Sequence, residues 1–76
     1  MSAMRKVFDG VGFSRALGAA RAAKAMSYAD VARVCGMSRQ NVFNFEANKY
    51  QPGTRHFLAL CEWMGVDPRA YLVSEK

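Results

Sequence analysis

Residues 27–47 read SYADVARVCGMSRQNVFNFEA, and the spacing inside that stretch decides the fold. Ser27 opens it as a helix N-cap, with Asp30 three residues on, where a capping-box carboxylate belongs. Val31, Ala32 and Cys35 follow at the three- and four-residue steps of one helical face. Gly36 stops the run, because glycine enters positive φ without a side-chain penalty. Ser38 caps again, and Val42 and Phe45 make a second inward stripe. Two short helices therefore meet through the turn Gly36-Met37-Ser38, which is helix-turn-helix spacing.

Working outward, Phe13, Leu17, Ala20 and then Ala23 or Lys24 predict a preceding helix that runs from Phe13 to about Ala25. Residues 1–11 have no sustained period, and Asp9-Gly10 is a turn signal. They read as an N-terminal arm with a short extended piece through Val7 and Phe8. Arg5 and Lys6 make it basic, so it either touches a partner or frays. On the other side Asn48 closes the third helix, and a polar loop with Pro52 reaches Gly53. A fourth helix is expected over residues 54–64, with Phe57, Leu58, Cys61 and Met64 as its stripe and Gly65 as its stop. Asp67 then caps a short fifth helix with Pro68 at its first position and Tyr71 and Leu72 turned inward. The expected fold is all-α: a compact bundle of five short helices over residues 12–76, behind the arm of residues 1–11.

Eleven Lys and Arg against six Asp and Glu leave a formal charge of +5. That balance suits a polyanionic partner, nucleic acid or anionic membrane, or serves solubility alone. No run of ~18 apolar residues is present, so no membrane span is expected. Asp9, Gly10, Gly12 and Arg15 interrupt any signal-peptide core. The expectation is a soluble, cytoplasmic, nucleoid-associated protein that is not secreted. Cys35, Cys61 and His56 lack metal-ligand spacing, so both thiols read as buried and free and no metal or cofactor is expected. The chain shows no paired carboxylates, no nucleophile–base set around His56 and only the fragment Gly10-Val-Gly12 of a phosphate loop. It reads as a binding protein, not an enzyme.

The stretch from Met26 to Lys49 resembles the lambda-repressor/Cro-like helix-turn-helix family, and the likeness extends back to Arg21 and on through Gln51-Pro52 and Leu58 to Leu72. The Ala32/Gly36/Val42 spacing, Glu46 and the closing Gly65-Val66-Asp67 carry it. The resemblance implies a double-stranded DNA-binding transcriptional regulator, with an Arg21–Glu46 ion pair tying the first helix to the third. Two residues depart from the family pattern: Tyr28 stands for the usual Gln, and Asn48 for the usual Gly. Tyr28 either donates its hydroxyl to a phosphate or is an exposed aromatic.

The outward side of the third helix carries Arg39, Gln40, Phe43 and Asn44 and no carboxylate. Arg39 suits guanine, Gln40 or Asn44 suits adenine, and Phe43 is expected against a thymine methyl, unless it packs under a neighbouring loop. Ser27, Tyr28, Asn41, Lys49, Tyr50, Thr54 and Arg55, at or near helix N-termini or in the loop, are candidates for phosphate contacts. One helix reads few bases, so a homodimer on a palindromic operator is expected, at least on DNA, with Trp63 and Tyr71 as possible dimer contacts. The 76 residues leave no room for an effector domain, so no small-molecule effector is expected. The most direct reading is a Cro/repressor-type operator binder. Alternatives are an antitoxin, a restriction-modification controller, or a protein-interaction module that ignores DNA.

Overall fold

The structure is a computed structural model that describes residues 5–74. The arm residues 1–4 and the terminal residues 75–76 lie outside it. The chain order is β1 (Lys6–Phe8), α1 (Gly10–Ala23), α2 (Tyr28–Cys35), α3 (Arg39–Glu46), α4 (Thr54–Met64), a 3₁₀ turn (Pro68–Tyr71) and β2 (Leu72–Ser74).

The two motif helices form where their caps dictate. Ser27 Oγ accepts from the Asp30 amide at 3.1 Å, and Asp30 Oδ2 accepts from the Ser27 amide at 3.0 Å, closing a reciprocal capping box. Gly36 ends α2 at φ 72°, ψ 44°. A side chain there would be strained, which is why the tight turn uses glycine. Ser38 Oγ accepts from the Asn41 amide at 3.0 Å and starts α3. Asn48 takes the left-handed conformation just beyond α3 at φ 58°.

α1 begins three residues earlier than its apolar period indicated, at Gly10 instead of Phe13. Asp9 caps it, its Oδ1 accepting from the Gly12 amide at 3.0 Å. It ends at Ala23, before Ala25 turns to φ 52°.

The core is Phe13, Leu17, Val31, Ala32, Val42, Phe45, Leu60 and Cys61, so α1 through α4 all contribute. On α4 the buried stripe corrects the expected one. Leu60 is fully buried and Leu58 is half exposed, because the face through Phe57, Leu60, Cys61 and Met64 is the one turned to α1 and α2. Cys61 is buried and Cys35 half-buried. One buried polar group had no apolar signal to reveal it: Ser14 donates its hydroxyl to the Phe45 carbonyl at 2.7 Å, stitching α1 to the end of α3.

Among the described residues, the all-α expectation of five helices is corrected to four α-helices, one 3₁₀ turn and a two-stranded sheet. Asp67 does cap the last turn and Pro68 does stand at its start, but the helix stops after Tyr71. The Tyr71 carbonyl accepts from the Asp9 amide at 2.7 Å, and Leu72–Ser74 pairs antiparallel with Lys6–Phe8. The ladder with the N-terminal segment satisfies the backbone groups that a longer helix would have used. Leu72, expected inward, is half exposed on β2. Phe8, Phe13, Phe57 and Tyr71 form an aromatic cluster that anchors this ribbon, with centroid separations of 5.2–6.4 Å.

Candidate nucleic-acid interface

The site begins beneath the surface, at the joint between α1 and α3. Arg21 donates from Nε to Glu46 Oε2 at 2.8 Å and from Nη2 to Oε1 at 2.9 Å, a two-pronged ion pair. Its Nη1 donates to the Met26 carbonyl at 3.1 Å, so the same side chain pins the turn before α2. The hydrogen bonds with Glu46 hold the guanidinium pKa above its ordinary value, against the smaller effect of burial. Close approach depends on Gly18: a Cβ there would stand 3.3 Å from Glu46 Oε1. Glu46, the one acid of α3, is thus engaged toward α1 and neutralised.

Tyr28 sits on top of this joint. The Arg21 guanidinium carbon lies 4.3 Å from its ring centroid, and the ring meets Phe43 edge-to-face at 5.6 Å and 86°. Lys49 Nζ is 5.3 Å from the Phe43 ring. The sequence left Tyr28 open between a phosphate donor and an exposed aromatic. It is half-buried, stacked between a cation and a ring. Sequence spacing carried no signal for this stack, since its members come from three separate segments.

Arg39 and Gln40 are exposed, and Phe43 and Asn44 are half-buried; none of the four is enclosed in the subunit. Gln40 Nε2 donates to Asn44 Oδ1 at 3.2 Å, a one-turn pair along the outer side of α3. The pair keeps the Gln40 carbonyl and the Asn44 amide nitrogen available to a ligand. Tyr28, Arg39, Gln40 and Phe43 line a cleft of about 280 Å³ on this face. The fold therefore gathers Tyr28, Arg39, Gln40, Phe43, Asn44 and Lys49 into one patch.

The remaining phosphate candidates lie at helix starts and in the loop after α3. Ser27 and Asn41 belong to the first turns of α2 and α3, where the Ser27 hydroxyl and the Asn41 amide serve the caps. Tyr50 is exposed in the loop, and Thr54 and Arg55 are exposed on the first turn of α4. Gly53 caps α4 without a side-chain bond, so the amides of that first turn have no side-chain cap. Away from this face, Trp63 is half-buried against the core with Lys24 Nζ at 5.6 Å, and Tyr71 packs on Phe13 and Phe57. Among the described residues no cluster of His, Cys, Asp or Glu could hold a metal ion, and no helix is long and apolar enough to cross a membrane.

With that geometry in place, the sequence profile of the helix-turn-helix family matches residues 17–70, most of the chain. The chain belongs to the lambda-repressor/Cro-like helix-turn-helix family. It is a DNA-binding transcriptional regulator, the function class of that family. Among solved structures, this helix-turn-helix protein is similar to the restriction-modification controller protein C.AhdI from Aeromonas hydrophila. The two are 28% identical with a TM-score of 0.70, over 80% of this chain and 92% of that one. No curated protein matches.

Proposed function

We propose that this chain is a sequence-specific operator binder that acts as a two-fold dimer on palindromic duplex DNA, by binding and not by catalysis. The observation that carries the reading is the outer side of α3. It presents Arg39 and Gln40 to solvent and Asn44 beside them, with the helix's sole acid tied back to Arg21. An uncompensated carboxylate would repel phosphates, and this face has none.

In this reading α3 enters the major groove. Arg39 donates in two-pronged fashion to guanine O6 and N7, and Gln40 or Asn44 to an adenine edge. Lys49, Tyr50, Thr54 and Arg55 bind phosphates on either side, helped by the open amides of the first turn of α4. A single recognition helix selects too few bases, so two copies on a palindrome are needed, with Trp63 and Tyr71 bordering the proposed contact.

A Cro/repressor-type role is the simplest biological setting. The likeness to C.AhdI favours a second, a controller of restriction and modification genes. Selection from a random duplex pool tests the common claim and separates the two. The winners should carry a two-fold repeat, and Arg39→Ala should weaken binding to them by about 1–3 kcal/mol per half-site while leaving the helical circular dichroism intact. A repeat found beside nuclease and methyltransferase genes supports the controller. Light scattering that finds a monomer both free and on the selected duplex rules out the dimer.

A further inference from the structure

The cleft on the recognition face has a chemistry of its own. Two of its walls are aromatic, Tyr28 and Phe43, set at 86° to each other. The others, Arg39 and Gln40, are polar and exposed, and no acid lines it. Its shape is held before any ligand arrives. Arg21, locked by Glu46, stacks under Tyr28, and Lys49 flanks Phe43. Neither ring has to be ordered on binding, so little conformational entropy opposes its use.

We propose that this cleft receives the C5-methyl group of a pyrimidine in the major groove, thymine or 5-methylcytosine, next to the guanine read by Arg39. The assignment rests on the operator-binding reading and deepens it. The C5-methyl is the one apolar group that base edges present in that groove. Seated against both rings, in the angle that Tyr28 and Phe43 form where they touch, it leaves water, and the rings lose exposed surface with it. A purine in the same place has no methyl to bury and would set its N7 acceptor against the two rings, which offer it no donor. Gln40, on the rim, has an amide to offer to thymine O4 as donor, or to the 5-methylcytosine amino group as acceptor. Arg39, one residue away, reaches the neighbouring base. Tyr28 thereby acquires a role in specificity, as one wall of a methyl receptor.

The test uses the full chain and synthetic duplexes. The operator is first selected from a random pool, and each symmetry-related pair of thymines is then replaced by uracil, which differs only in lacking the methyl. The expected result is one pair of positions at which uracil weakens binding about fourfold per half-site, the scale of one buried methyl. At that position cytosine and 5-methylcytosine are also compared. Recovery by 5-methylcytosine up to or beyond thymine identifies the methylated cytosine as the source, and weaker recovery identifies thymine. Phe43→Ala should bring the thymine-to-uracil affinity ratio toward one, whatever it does to affinity as a whole. Tyr28→Leu serves the same purpose if Phe43→Ala loses its helical signal. Equal binding to thymine and uracil duplexes at every position, with 5-methylcytosine no better than cytosine, overturns the methyl receptor alone. Failure to bind any duplex in dilute salt overturns the operator reading along with it.

Discussion

Removing one partner of the Arg21–Glu46 pair leaves the other charge facing protein instead of water. The side chains keep 24% and 17% of their exposure, so water softens the penalty but does not cancel it. Arg21→Ala and Glu46→Ala are each expected to destabilise the domain by about 2–3 kcal/mol in urea unfolding. Arg21→Lys should fall between them and the parent, because an ammonium cannot grip Glu46 with two prongs, hold the Met26 carbonyl and lie flat on Tyr28. The Arg21→Met/Glu46→Leu double variant should be less damaged than either single one, since no charge is stranded. Single variants within about 0.5 kcal/mol of the parent would show a solvated pair that ties nothing together. The pair itself was legible through family resemblance. The stacking of Tyr28 on it was not, because a ring's neighbours across three segments leave no mark in local spacing.

The motif helices are held by caps that were legible residue by residue, and one of them titrates. Hydrogen bonds from the Ser27 amide and hydroxyl hold the Asp30 carboxyl below its ordinary value. A depressed pKa means that the stabilisation is fully present above the unfolded value of about 3.9 and is lost as pH falls through the folded one. Asp67 is depressed in the same way by Arg69. The thermal midpoint of Asp30→Asn should therefore fall less steeply than the parent's below pH about 4, with the two curves converging in stronger acid. Parallel curves would mean that the box contributes nothing to stability. The elements that sequence reading placed less well are those whose backbone bonds are long-range. Apolar period alone allowed Leu58 or Leu60 to face inward, and packing against α1 and α2 chose Leu60. Likewise a short helix after Pro68 was locally sound, and pairing with residues 6–8 cut it to a single 3₁₀ turn.

At the scale of the whole molecule, the charge of +5 and the single engaged acid of α3 set how DNA would be held. If each subunit meets roughly three phosphates, a dimer neutralises roughly six, and log K should fall with log salt at a slope of about −5. Fluorescence anisotropy on the selected operator from about 50 to 200 mM salt measures this slope. Lys49→Ala and Arg55→Ala should each reduce the slope and weaken all duplexes alike, in contrast to Arg39→Ala, which should relax selectivity. A flat salt profile would remove phosphate contact as the source of affinity.

By itself the sequence determined the helix-turn-helix: its caps, its glycine turn and its inward stripes act over three or four residues, within reach of local backbone chemistry. It also set which side chains of α3 are free for a ligand, since Val42 and Phe45 claim the inner side. Only tertiary structure decided the strand pairing of the two chain ends, the register of α4 and the seating of Tyr28 on Arg21 against Phe43. Each of these joins residues far apart in the chain, where the partner, and not the local pattern, determines which of several sound choices has the lowest free energy.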